Sequence, residues 1–316
     1  MPKFVALGEI LIDFMPDLVS GGQLVYTPHV GGAPANVARA MAALGHSSAF
    51  IGKVGNDSFG ELCKHTLSEA GVDIRGLLTD MQNPTTLALV HLSDDGERSF
   101  SFYRNQTADV NLCKEEIPTN LLEAASILHI GSVSLSAEPS AEATLSSIRY
   151  VKDKGAIVSY DPNLRPLLWR DMNAAQNTIL EPLRFCDILK ISEEETEFIA
   201  GESNPQKAAQ LLYDRYGIPL ILVSLGRHGC CALHNGHFFS HPGFSANTVD
   251  TTGAGDCFFA GALHCILQSS CHLTNLSDAQ IADMLRFANA MGAAAVQHKG
   301  ADCPDPGTVN SLLQRQ

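Results

Sequence analysis

Asp256 stands directly behind Gly253, Ala254 and Gly255, and ahead of the apolar run CFFAGALHCIL. That order suits one kind of chemistry. Residues with almost no side chain let consecutive backbone N–H groups face a ligand, and a helix starting there adds the positive end of its dipole. Such a cradle binds the charge that gathers on a phosphoryl group in transfer. A carboxylate in that positive field is costly to protonate, so Asp256 is expected to stay ionised and to accept a proton from an alcohol. Cradle and base lie within one helical turn, which brings an acceptor hydroxyl up to a phosphate. The run behind them is apolar nearly all round, so its helix must be buried and the cradle rigidly mounted. The plainer reading of the same residues is a glycine-rich turn opening a core helix, with Asp256 as its cap.

A second stretch, GGAPANVARAMAALG at residues 31–45, has the same character. Gly31 and Gly32 allow close backbone approach, and a helix is expected from about Pro34 and Ala35. Val37, Ala40, Met41 and Leu44 fall at core spacing on it. Asn36 sits in its first turn, where the amide either points toward a polar ligand or serves near the cap. Neither stretch is one of the commoner nucleotide signatures. No G-x-x-x-x-G-K-S/T occurs, so there is no P-loop. The GEILID that follows the first strand is not a G-x-G-x-x-G fingerprint, which argues against a nicotinamide-dependent oxidoreductase.

The elements that must position these residues alternate. FVALGEILIDF reads as a first strand and SAFIGKVG as another after an intervening helix; ASILHIGSVSL, AIVSYDPN, DILKIS and LILVSLG follow, most behind helix-like segments. Buried strands separated by helices indicate an α/β fold, a mostly parallel, doubly wound sheet flanked by helices. Ligands sit beyond the carboxyl ends of such strands, which flags Asp13, the Asp161-Pro162-Asn163 turn, Ser192 and Gly226. Residues 85–105 break the alternation with two strand-like runs around Asp95-Gly96, a hairpin signal. With residues 25–30 they are expected to form a small sheet covering the active side; the alternative is an edge hairpin of the main sheet. The lid segments are about residues 14–30 and 85–108 within a single 316-residue domain, since no repeat, low-complexity tract or linker is present.

Composition excludes several classes. The net charge of −13, with no Lys/Arg run, argues against nucleic-acid and anionic-membrane partners. It leaves phosphate ligands open, because backbone N–H groups bind anions without basic side chains. Glu9 and Asp13 interrupt the first apolar run, so it is no signal peptide, and nothing approaches the length of a membrane span. Nine irregularly spaced cysteines read as reduced thiols of a cytoplasmic protein. Cys230, Cys231, His234, His237 and His241 are types that zinc takes. Asn235-Gly236 within that stretch is a turn signal, however, so they read as residues of a surface hairpin, and no metal is expected there.

Taken together, GGAPANVA and DTTGAGDCFFAG resemble the two signatures of the PfkB, or ribokinase-type, carbohydrate kinase family. GKVGNDSFG resembles a third family stretch, and the likeness continues through SFYRN, SYDPNLR, KISEEE, VSLGRHG and ANAMGAAAVQHKGA, over essentially the whole chain. Within the family, GEILIDF, FYRN, YDPNLR and KISEEE are most similar to the fructokinase branch.

The resemblance implies a ribokinase-like fold and ATP-dependent phosphorylation of a sugar, at the 6-hydroxyl of fructose. Asp256 then matches the general base, and Gly253, Ala254 and Gly255 the anion hole. Asp13, Gly31, Gly32, Asn36 and Asn163 match sugar-holding positions, and Arg104 and Arg165 resemble arginines brought to the sugar or the transferring phosphate. Lys190, Ser192, Ser224, Gly226, Gly229 and Asn289 fall around ATP, together with Gly253 and Gly255. Glu195 corresponds to the acid of an N-x-x-E element that acts through water on Mg²⁺, although Ser192 stands where the wider family often has Asn. Ala33-Pro34 replace the Lys-Gly of the ribokinase GGKGAN, which disfavours ribose. Several relatives bind a monovalent cation such as K⁺; the equivalents here are Asp250, Thr252 and carbonyls near Ala295, His298 and Gly300. A homodimer paired through the lid is implied in the same way. The plainer readings are Arg165 paired with a surface acid, Arg104 solvated on the flap, and Glu193, Glu194 and Glu195 as first-turn helix acids. The functional alternatives are a kinase for 2-keto-3-deoxygluconate or a riboside such as aminoimidazole riboside, and an inactive kinase fold used for assembly.

Overall fold

The structure is a computed structural model that describes residues 3–18, 24–92, 98–169, 171–269 and 271–315. Its first strand, β1 (Phe4–Leu7), shows how the core is built. Phe4 and Ala6 pack into one apolar cluster and Val5 and Leu7 into another, on the opposite face. A strand buried on both faces belongs in the middle of a sheet covered by helices on each side.

The chain continues through β2 (Leu11–Leu18), β3 (Leu24–Gly31), α1 (Ala33–Ala43), β4 (Ser48–Gly55), α2 (Ser58–Glu69), β5 (Asp73–Asp80), β6 (Leu87–Leu92) and β7 (Arg98–Tyr103). Next come α3 (Thr119–Ala124), β8 (Ile127–Gly131), α4 (Ser140–Asp153), β9 (Ile157–Asp161), α5 (Met172–Leu180), β10 (Ile188–Ser192), α6 (Thr196–Ala200), α7 (Pro205–Tyr216) and β11 (Leu220–Ser224). The hairpin β12 (Cys230–His234) and β13 (His237–His241) precedes α8 (Ala254–Gln268), α9 (Asp278–Ala295) and α10 (Pro306–Leu313).

The main sheet runs β13-β12-β11-β10-β9-β8-β1-β4-β5, parallel from β5 to β11 and antiparallel in the terminal hairpin. Helices α1, α2, α8 and α9 cover one face, and α3 to α7 the other. The second sheet is β3-β2-β6-β7, in which β2 pairs antiparallel with β3 and parallel with β6. The expected small lid sheet is therefore separate from the main one. The Asp95-Gly96 turn expected between β6 and β7 lies outside the described residues.

Two expectations need correction. FVALGEILIDF is two strands in two sheets, not one. A Cβ on Gly8 would stand 2.6 Å from Pro34 Cγ, so the start of α1 is packed directly against the chain where it leaves the main sheet. Asp13 consequently lies on the lid strand β2, beside His29 of β3 and Ala88 of β6. The second correction is the 230–241 hairpin, which is only partly a surface feature. Asn235 and Gly236 form its turn with φ of +48° and +82°. Cys230 and Cys231 nevertheless pack into cores on opposite faces, and the buried His234 ring is 2.9 Å from the Leu273 carbonyl. All nine cysteines are free thiols. Among the described residues no helix is long and apolar enough to cross a membrane.

Helix α8 is seated through Phe259 and Leu263, both fully buried, with the Phe259 ring edge-on to His129 of β8 at 5.3 Å. Phe259→Ala should destabilise the fold by about 3–5 kcal/mol. Urea unfolding followed by circular dichroism measures this, and a loss below about 1 kcal/mol would mean that α8 is not anchored through this ring.

Candidate active site

The two helix starts singled out in the sequence converge. Gly253 is the N-cap of α8 with φ +73°, and a Cβ there would lie 2.7 Å from Ala301 Cβ. Only glycine makes that left-handed turn cheaply so close to another segment. Asp256 follows in the first turn, and its Oδ2 accepts a 2.8 Å hydrogen bond from Asn36 Nδ2 in the first turn of α1. Gly32 caps α1 with φ +110°; a Cβ there would lie 2.5 Å from the Glu9 carbonyl oxygen. A Cβ on Gly31 would stand 2.1 Å from Asp13 Oδ2. The two glycines thus let β2 and its carboxylate press against the start of α1.

Electrostatics corrects one expectation. Burial pushes the Asp256 carboxyl above its ordinary value, against the pull of the Asn36 amide, Lys190 and Arg165. Desolvation therefore outweighs the positive helix end that was expected to hold it down. Asp13 is pushed up to about 6, again by burial first, with Arg165 opposing and Asp256 adding to the rise. Lys190 donates to Asp161 Oδ2 at 2.8 Å, both side chains being almost fully buried. Burial works against the ammonium, yet Asp161, Glu195 and Asp256 together hold its pKa above the ordinary value. Its Nζ is 3.1 Å from where a Gly255 Cβ would stand, so a fixed positive charge flanks the glycine cradle.

Within that cradle the Ala254 N–H is already committed to the Thr251 carbonyl at 3.2 Å. Helix geometry leaves Gly255 and Asp256 N–H without an acceptor inside α8, so an anion here would meet those two groups rather than the N–H of Ala254.

Two cavities meet here. One, of about 370 Å³, is lined by Asp13, Gly32, Asn36, Asn163, Arg165 and Asp256, with Phe100 and Phe102 of the lid across from them. The other, of about 670 Å³, is lined by Ser224, Gly226, Gly229 and Asn289. Thr251 and Gly255 line both. A polar chamber holding a buried carboxylate, joined at Thr251 and Gly255 to a larger cleft, can present an alcohol to a phosphate.

The remaining expected residues fall differently. Arg104 is neither among the residues lining the smaller cavity nor solvated: its guanidinium is buried against Asp109, with Nε 2.6 Å from Oδ2, and also donates to Ser136 Oγ and the Val133 carbonyl. An adjacent buried acid captures it. Glu195 accepts from the N–H groups of Leu164 (2.6 Å) and Ser192 (2.8 Å), so it ties the end of β10 to the loop carrying Arg165. Asn289 donates to the Leu285 carbonyl and to Cys230 Sγ while lining the larger cleft. Asp250 is buried and accepts from Thr252 N (2.8 Å) and Gly300 N (3.0 Å), which brings those three together. The Ala295 carbonyl accepts from His298 N at 3.3 Å.

Sequence reasoning missed Glu9, Phe100, Phe102 and Thr251, all of which line the smaller cavity. Glu9 follows the true end of β1, so the strand-end rule finds it once that strand is stopped at Leu7. Phe100 and Phe102 alternate in SFSFY and so share one face of β7; their rings stack at 5.9 Å.

The chain matches the profile described as pfkB family carbohydrate kinase over residues 1–306. It is 41% identical over 304 residues to Fructokinase-2 of Oryza sativa subsp. japonica, covering 94% of this chain and 89% of that one. A fructokinase from Xylella fastidiosa solved with bound ATP superposes with a TM-score of 0.91 at 33% identity, covering 100% of this chain and 99% of that one. A fructokinase from Vibrio cholerae O395 in a form with fructose, ADP and calcium ion bound gives 0.89 at 35% identity, over 98% and 99% of the two chains.

The Asp13 carboxyl should titrate with a midpoint of about 6. Arg165→Met removes a positive charge that favours the carboxylate, so the midpoint should move upward. Carboxyl carbon NMR reads both, and a midpoint near that of an exposed aspartate, or one unmoved by the substitution, would refute the assigned burial and pairing.

Proposed function

Because the chain belongs to the pfkB family of carbohydrate kinases, we propose that it is a fructokinase, moving the γ-phosphoryl group of ATP onto the 6-hydroxyl of fructose. The observation that carries this reading is the junction of the two cavities at Gly255, with Asp256 on the smaller side. The fructokinase likeness over nearly the full length supports fructose as the acceptor.

In this reading fructose occupies the smaller cavity. Asp13 and Asn36 hold its hydroxyls, with Gly32 and Asn163 shaping the wall and Gly31 leaving room for the Asp13 carboxylate. Phe100 and Phe102 cover it and exclude water, which suppresses idle hydrolysis. Asp256 accepts the proton of the attacking hydroxyl, and its burial-raised pKa makes it a stronger base than an exposed aspartate. The Gly255 amide, Lys190 and Arg165 balance the charge that develops in transfer. Ser224, Gly226, Gly229 and Asn289 would hold the nucleotide, which supplies the phosphoryl group. Mg²⁺ would accompany it, with Glu195 reached through water; beyond its two backbone bonds that carboxylate keeps lone pairs to offer.

A monovalent cation, K⁺, would fit the loop that Asp250 organises between Thr252 and Gly300, near the Ala295 and His298 carbonyls. A homodimer paired through the lid rests on its two edge strands, β3 and β7, which expose Leu24 and Tyr103. The free thiols suit a reducing, cytoplasmic setting. The whole chain is read as one kinase unit.

The test is ADP release from MgATP in the presence of fructose, ribose, glucose, 2-keto-3-deoxygluconate or a nucleoside, with and without K⁺. Selective turnover of fructose, raised by K⁺, is expected; preference for another acceptor would overturn the substrate and leave the chemistry. Asp256→Asn should lower kcat by about 10²–10⁴-fold while calorimetry shows fructose still bound. Wild-type turnover in that variant would remove Asp256 from the mechanism.

A further inference from the structure

We infer that Asp109 sets the class of sugar this site accepts: by neutralising Arg104 just behind the cavity wall, it denies the site a cation for an acidic sugar. The inference rests on the sugar-kinase reading above and adds a specificity residue to it.

The pair is built, not incidental. Arg104 Nε lies 2.6 Å from Asp109 Oδ2, and the two side chains are 6% and 3% exposed. The other Asp109 oxygen accepts from Thr86 Oγ1 at 2.5 Å and Thr107 Oγ1 at 2.8 Å. Arg104 also donates through Nη1 to Ser136 Oγ (2.5 Å) and through Nη2 to the Val133 carbonyl (3.1 Å). Every nitrogen of the guanidinium is thus held, and both carboxylate oxygens are used.

The pair adjoins the site. Val133, which accepts from Arg104, lines the smaller cavity, as does Glu9. Glu9 feels both charges: burial pushes it up to about 7, Arg104 pulls it down and Asp109 pushes it back. A change at Asp109 is therefore felt inside the chamber.

The charges lining the cavity show what Asp109 accomplishes. They are the acids Glu9, Asp13 and Asp256 and the cations Arg165 and Lys190. Lys190 is paired with Asp161, and Arg165 faces Asp13 and Asp256. Hydroxyls of a neutral sugar can donate to those carboxylates, whereas a substrate carboxylate would meet them with no available cation on the Val133 side. Without the negative charge of Asp109, Arg104 would supply one.

Asp109→Asn keeps an oxygen that can accept from Thr86 and Thr107, while the other oxygen becomes an NH2 donor that cannot accept from Arg104 Nε–H, so the charge and its hydrogen bond to Arg104 are lost together. The experiment compares kcat/KM for fructose and for 2-keto-3-deoxygluconate in wild type, in Asp109→Asn and in the double variant Arg104→Gln/Asp109→Asn. The expected result is a wild-type preference for fructose that narrows at least 10-fold in Asp109→Asn through an absolute rise on the acid. That rise should vanish in the double variant. An unchanged or lower rate on the acid in a folded Asp109→Asn, or an equal rise in the double variant, overturns the inference. If the variants do not fold, competitive inhibition of wild type decides: D-glucitol should bind at least 10-fold more tightly than D-gluconate, and equal binding overturns it. Should wild type phosphorylate a different neutral sugar, the fructose reading fails and the Asp109 comparison proceeds with that sugar.

Discussion

A carboxylate buried at the mouth of an apolar helix is expensive unless other groups compensate it, and the compensation of Asp256 organises the structure around it. The helix cannot expose Asp256, because Cys257, Phe258 and Phe259 beside it are core residues. Compensation therefore comes from the surrounding layers. Asn36 comes from α1, Lys190 from β10, and Arg165 from the loop after β9. Each must arrive at the same point from a different segment. The parallel pairing of Leu189 with Tyr160 puts Lys190 level with Asp161, and their ion pair fixes the ammonium beside Gly255. Glu195 in turn holds the loop of Arg165 against the end of β10.

How much of this was legible depends on whether a residue's surroundings are local in sequence. The starts of α1 and α8 could be read because glycine, proline and the apolar run lie side by side. The main parallel strands were legible for the same reason, as short apolar blocks between helical ones. The passage from β1 to β2 was not: the apolar run is nearly continuous, and the close approach of Pro34 to Gly8, where the chain leaves the sheet, comes from a segment some way along the sequence. Strand β5 was missed since DIRGLLTD at a sheet edge carries too many polar residues to read as a buried strand. The direction of the Asp256 pKa was missed because the helix end is visible in sequence while the depth of burial is not.

The lid shows the same division. Its strands were expected from the hairpin pattern, yet its chemistry depends on register. With Ala88 opposite Phe102 and Val90 opposite Phe100, both aromatic rings fall on one face of β7, the face that covers the chamber. In the proposed reaction an apolar cover has two effects at once. It removes water that would compete with the sugar hydroxyl, and it lowers the local dielectric, which strengthens each charge left inside. Such a cover also makes any uncompensated charge in the chamber more costly.

Arg104 and Arg165 illustrate why cations at a site have to be counted net of their partners. Both follow a strand end and both matched family positions, so residue type and spacing treat them alike. Asp109, five residues beyond Arg104, is buried with it and takes its Nε–H, whereas the Nη1 of Arg165 bonds only weakly placed carbonyls, at 3.3 Å and 3.2 Å, and its charge remains directed at Asp13 and Asp256. A guanidinium closed into a buried pair is close to a dipole when seen from the cavity; one that faces carboxylates is a charge that can be redirected when a phosphate arrives. Lys190 lies between these cases. It is paired, but Glu195 and Asp256 also draw on its charge, so its ammonium still bears on the cradle at Gly255 while its proton is held firmly. That combination suits a group that must stabilise charge in transfer without surrendering a proton to it.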